Sequence, residues 1–102
     1  MQRKYNVFIT RSAQNDISEI YEYIASDSTK NAKIFISEIE KKITGLKNFP
    51  ERNPLLQENE YFNTTYRHLL FKDYRIIYRV ENINVFILRV YHGRRLLSEL
   101  NE

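Results

Sequence analysis

The chain has 102 residues, enough for one domain with one modest core and too short for two. It has no cysteine and only two histidines, which excludes a disulfide frame and a thiolate nucleophile or metal site and argues against a His-based zinc centre. Its net charge is +3, and no run of about 18 apolar residues is present that would span a membrane. The N-terminus lacks the long apolar segment of a secretory signal, so a cytoplasmic, single-domain protein over 1–102 is expected, with no membrane partner and no cofactor or metal.

The stretch "YNVFIT" (5–10) is β-branched and aromatic and predicts a first strand. "Arg11-Ser12" reads as a helix entry with Ser12 as N-cap and Asp16 in the first turn. Apolar residues at 13, 17, 20, 21 and 24 follow at helical spacing. "SDST" (26–29) interrupts the pattern, and Ser28 or Thr29 can cap a second helix. Its stripe is Ala32, Phe35, Ile36, Ile39, Ile43 and Leu46, and Pro50 forbids continuation. The two helices form an αα-hairpin. Residues 49–65 show no period and carry two prolines, which predicts a long crossing loop that is mobile or meets a partner.

"YRHLLF" (66–71), "YRIIYRV" (74–80) and "VFILRVY" (85–91) predict three consecutive strands of an antiparallel meander, with the first strand joining an edge. The order is β-α-α-β-β-β. The expected fold is α+β, a helical hairpin packed on one face of a small, mainly antiparallel sheet.

Charge is uneven along this layout. Residues 66–95 carry seven Lys/Arg and two acids, a net of +5, while the rest of the chain is at −2. Such asymmetry points either to an anionic partner for the C-terminal third or to a solvated sheet face. Alternation places Arg75, Ile77 and Arg79 on one face, and Tyr74, Ile76, Tyr78 and Val80 on the other. If Val80 pairs with Val85, the second face continues through Val85, Ile87, Arg89 and Tyr91; a one-residue slip exchanges the faces, so Arg89 is left unassigned. A half-buried Arg75 needs an anion, either an internal acid or a ligand phosphate. Arg67, in the preceding strand, is expected near Arg75. His92, Arg94 and Arg95 follow the last strand, where a terminal segment can close on an anion or remain a solvated basic tail. His92 has a side chain suited to general acid–base work. Tyr66, Tyr74 and Tyr91 are core residues or platforms for stacked bases. The binding candidates are Arg67, Arg75, Arg79, Arg89, Arg94 and Arg95. The chain has only Gly45 and Gly93 and no Gly-rich phosphate loop.

The opening "FITRSAQNDISEIYEYI", the strand "YRIIYRV" and the ending "VFILRVYHGRR" resemble the RelE/ParE superfamily of toxins from bacterial type II toxin–antitoxin modules. The likeness covers nearly the whole chain and implies the β-α-α-β-β-β fold. It also implies a cognate antitoxin whose disordered segment folds on the toxin, and operator DNA met only through that antitoxin.

Two activities occur in the superfamily. ParE-like members inhibit DNA gyrase without being enzymes. RelE-like members cleave mRNA in the ribosomal A site by metal-free attack of the 2′-OH, with cations stabilising the phosphorane. On the RelE-like reading, Arg75, His92 and Arg94 are the catalytic candidates. Leu100 stands where RelE-like enzymes carry a tyrosine, Leu69 where a second strand cation falls, and Gly93 follows His92 where a tyrosine is found in some relatives. The "RVYHGRR" ending is closer to ParE-like chains, so gyrase inhibition is the favoured expectation, a ribosome-dependent endoribonuclease the alternative, and a degenerate, non-toxic nucleic-acid- or antitoxin-binding domain the third.

Overall fold

In the computed structural model, which describes residues 4–93, a short strand β1 (Asn6–Ile9) leads directly into helix α1 (Arg11–Ala25). Thr10, not Ser12, begins that helix. Its backbone is extended and its hydroxyl oxygen accepts from the Ala13 amide, as an N-cap must. The same hydroxyl donates to the Leu88 carbonyl, so the cap also ties the helix start to the sheet. Ser28 caps α2 (Thr29–Thr44) by accepting from the Asn31 amide. Lys41 and Lys42 in the last turn of α2 complement the negative end of its dipole.

The stretch expected to be an aperiodic loop has local structure. A 3-10 turn, Gly45–Lys47, precedes it at the end of α2, and it contains a second, Pro50–Arg52, and a single-turn helix α3 (Asn59–Phe62). Asn59 organises it. Its Nδ2 donates to the Tyr66 carbonyl, and its Oδ1 accepts from the Tyr66 amide and the Thr64 hydroxyl. Residues 54–56 run beside the next strand, with the Leu56 amide donating to Tyr66 and the His68 amide donating to Pro54. A side-chain amide that satisfies three backbone or hydroxyl groups at once leaves no periodic trace in a sequence.

Three strands follow: β2 (Arg67–Phe71), β3 (Tyr74–Glu81) and β4 (Asn84–His92). The sheet order is β1-β4-β3-β2, antiparallel except for β1, which runs parallel to β4 at the edge. The α+β layout expected from the sequence is the one observed. Val80 pairs with Val85, but a bulge intervenes farther along: Tyr78 faces Ile87 while Ile77 faces Arg89, leaving Leu88 as the extra residue.

The bulge decides which way the end of β4 points. Val85, Ile87 and Val90 enter the main core with Ile76, Tyr78 and Phe71, under Ala13, Phe35, Ile39, Ile43 and Leu46 of the helical layer. Arg89 and Tyr91, opposite Ile77 and Arg75, belong to the other face. The expectation that Val85, Ile87, Arg89 and Tyr91 share a face therefore fails at Leu88, because one added residue inverts the alternation. That second face is not open throughout. Leu56, Ile77 and Tyr91 form a smaller core there with Phe62, Tyr66 and Leu88, so the 54–66 segment roofs part of it. Among the described residues, no helix is long and apolar enough to cross a membrane.

Candidate functional site

Arg75 lies in β3, beneath that roof, and is only 8% exposed. Glu58, just before α3, meets its guanidinium at two points: Nη2 to Oε2 at 3.0 Å and Nη1 to Oε1 at 3.5 Å. His68 lies on the same face, since β2 pairs His68 with Ile77 and Leu70 with Arg75. Burial opposes ionisation of Glu58, yet the hydrogen bond and charge of Arg75 outweigh it and hold the carboxyl below its usual range. Burial first, and then the Arg75 charge, push the His68 imidazole below its ordinary value, against the opposing pull of Glu58. The His68 Nδ1 is buried without a hydrogen-bond partner among the described residues. The cluster thus sets a carboxylate, a neutral imidazole and a guanidinium side by side. Glu58 occupies the Arg75 guanidinium, so the fold itself supplies the anion that this arginine needs.

Arg89 reaches round the sheet edge to α1. Its Nε donates to Asp16 Oδ2 at 2.8 Å and its Nη2 to Oδ1 at 3.0 Å. The hydrogen bond to Asp16 raises the Arg89 pKa, against the effect of burial. The guanidinium also lies 4.5 Å over the Tyr91 ring. Arg79 pairs with Glu81 and covers Phe86 at 4.5 Å, and Phe86 stacks on Phe8 with centroids 5.5 Å apart.

Arg67 is not beside Arg75. It pairs with Tyr78, so it sits on the helix-bearing face, where its Nη1 donates to the Asn53 carbonyl at 2.7 Å. Nearby, the Tyr78 hydroxyl donates to the Pro50 carbonyl and accepts from Asn53 Nδ2. His92 pairs with Tyr74 and meets that ring edge-on at 5.9 Å. It is on the face opposite Arg75, because Arg75 pairs with the neighbouring Tyr91. The structure therefore does not bring Arg75 and His92 together. Arg94 and Arg95 lie outside the described residues.

The tyrosines considered for base stacking are taken up in packing: Tyr91 is buried, Tyr66 joins the smaller core and Tyr74 the main one. Among the described residues, no group of three or more His, Asp or Glu is placed to hold a metal ion.

Sequence reasoning left out three participants. Asp16, expected in the first turn of α1, lies beyond it and closes on Arg89. Glu58 lies in a stretch with no period, and nothing local links it to Arg75. His68 was readable in principle, because a two-residue turn at Lys72–Asp73 sets it opposite Ile77.

The sequence model of the family described as ParE toxin of type II toxin-antitoxin system, parDE, matches residues 7–97. Among solved structures, a chain of the chromosomal ParDE TA system from P. aeruginosa is similar with a TM-score of 0.71. It is 19% identical, and the likeness, one of fold, covers 88% of this chain and 97% of that chain. No curated protein matches the sequence.

Proposed function

The chain belongs to the ParE toxin family of type II toxin–antitoxin systems, and from that premise we propose that it inhibits DNA gyrase in the cytoplasm and is neutralised by a cognate antitoxin. The observation that carries this reading is the ParE match itself, which takes in both long helices, β2, β3, β4 and all of β1 but Asn6. The geometry supports it. Arg75 and His92, the residues a nuclease would bring to one phosphate, are on opposite faces of the sheet. The strand arginines Arg75, Arg79 and Arg89 are each paired with a carboxylate within the fold, so none is left for a scissile phosphate without breaking an ion pair. The antitoxin contributes an acidic, amphipathic segment that orders on the toxin surface, and it carries the operator DNA contact.

One observation favours a ribosome-dependent endoribonuclease as the second reading. Glu58, His68 and Arg75 are the side-chain types that metal-free RNA cleavage uses, gathered under one short segment. The test is a paired assay of antitoxin-free protein: plasmid supercoiling by gyrase, and primer extension on mRNA held in a translating ribosome. Blocked supercoiling with intact mRNA is the expected result. Discrete A-site cuts with normal supercoiling would overturn the gyrase reading and make Arg75 the first residue to replace. Harmless expression with both assays negative would leave the degenerate-domain reading.

A further inference from the structure

The cations that pointed to an anionic partner are largely occupied. Arg75, Arg79 and Arg89 each hold a carboxylate, and Arg67 holds a carbonyl. Arg67 aside, the cations that form no ion pair with any described residue lie in the part of the chain whose net charge is negative, and besides Lys4, Arg11, Lys30 and Lys33 they include a group of four. Lys41 and Lys42 at the end of α2, Lys47 in the first 3-10 turn and Arg52 in the second are all exposed. They gather round two adjoining hollows that share Lys41, Gly45 and Asn48. The smaller, of about 230 Å³, is lined by Lys41, Lys42, Arg52 and Phe49 and by no acid. The larger, of about 490 Å³, adds Lys47 and a single carboxylate, Glu40. The α2 dipole accounts for Lys41 and Lys42. It does not account for Lys47 and Arg52, which lie beyond the helix.

Phe49 is the second observation. It is 52% exposed and takes φ 52° and ψ 51°, the left-handed region, immediately before Pro50. A bulky residue is strained there, and a residue preceding proline is biased away from helical dihedrals. The strain is not offset by burial of the ring. Instead the ring is held in solvent with the Arg52 guanidinium 5.0 Å from its centroid. An exposed aromatic plane beside unpaired cations is the combination that binds single-stranded nucleic acid: a base stacks on the ring while phosphates meet the lysines and arginine. An acidic peptide would use the charges but has no need of the ring.

We infer that the corner formed by Lys41, Lys42, Lys47, Phe49 and Arg52 is a binding surface for single-stranded nucleic acid, separate from the arginine-bearing sheet. This surface does not depend on whether gyrase or the ribosome is the target. It is read by fluorescence anisotropy of the full chain with a labelled 12-nucleotide oligo-dT, across a salt series. Wild type is expected to bind with log K falling linearly in log salt. The Lys47→Ala/Arg52→Ala double variant should weaken binding and reduce the slope by roughly 1.4, about 0.7 for each lost phosphate contact. Phe49→Gly should weaken binding about fivefold or more with the slope unchanged, the loss expected for one stacked base. Glycine relieves the left-handed backbone, so this variant removes the ring without threatening the fold. Thermal melts of both variants within a few degrees of wild type confirm that. Binding unaffected by the double variant would overturn the assignment. So would a Phe49→Gly variant that binds like wild type, with an oligo-glutamate peptide competing equally well, because the surface would then read charge alone. Loss of binding in Arg79→Ala instead would place nucleic acid on the sheet and equally overturn it.

Discussion

One carboxylate oxygen of Asp16 closes two gaps at the sheet edge: Oδ2 accepts from Arg89 Nε at 2.8 Å and from the Val90 amide at 2.9 Å. β1 stops pairing with β4 at Ile87, so beyond the Leu88 bulge the edge of β4 would present an unpaired amide. Asp16, buried on α1, takes that amide's hydrogen bond and pairs the arginine that the bulge placed on the far face and that reaches back round the edge.

Removing this group should be costly. Asp16→Ala leaves the Arg89 charge uncompensated and the Val90 amide unpaired, and is expected to cost about 3 kcal/mol or more in urea unfolding. The double change Asp16→Leu/Arg89→Met removes the charge as well as its partner and should lose less than the single change. Equal losses in the two variants would mean that the amide, not the ion pair, dominates.

The Glu58–Arg75–His68 cluster makes stability depend on pH. Glu58 has a folded pKa below its ordinary 4.5. Its contribution is complete above that ordinary value and is lost as pH falls through the depressed one. His68 has a folded pKa below its ordinary 6.5, so the unfolded chain binds the proton more readily. Its contribution is complete above 6.5 and declines as pH falls below that. Urea midpoints should therefore fall progressively from pH 7 to below pH 4. His68→Leu should flatten the upper part of that slope and Glu58→Gln the lower part.

Thr10 and Ser12 can be distinguished directly. Thr10→Ala loses the Ala13 cap and the bond to Leu88, and should cost about 1 kcal/mol or slightly more. Ser12 is exposed inside the first turn, and Ser12→Ala should be within about 0.5 kcal/mol of wild type. Chemical denaturation of the two variants side by side settles which residue caps the helix.

Tyr78 anchors the 50–53 turn from inside the main core. Tyr78→Phe deletes the hydroxyl that donates to Pro50 and accepts from Asn53, and should cost about 1–3 kcal/mol. Amide exchange at Arg52, whose N–H donates to Phe49, should accelerate in the same variant more than exchange in β3. Uniform acceleration would mean that the hydroxyl supports the whole core and not this turn.

The two long helices, the four strands and their order were legible in the sequence. The apolar stripes of α1 and α2 and the turns between the last three strands arise from neighbours within a few residues, where period and turn chemistry act, whereas the choice of Ser28 over Thr29 as cap and the Val80–Val85 pairing had alternatives that the structure resolved. The family resemblance was equally legible, because it lies in contiguous strands. What only the tertiary structure decided was the partner of each cation. Glu58 meets Arg75 across 17 residues, and Asp16 meets Arg89 across 73. The Leu88 bulge set the face of Arg89, and the pairing of Arg67 with Tyr78 carried Arg67 away from Arg75. A charge count along the chain cannot register these pairings, since Coulomb attraction depends on distance in space and on burial, which the fold alone supplies. For the same reason a cluster of cations without an ion pair to any described residue lies at Lys41, Lys42, Lys47 and Arg52, in the part of the chain that a linear count reads as acidic.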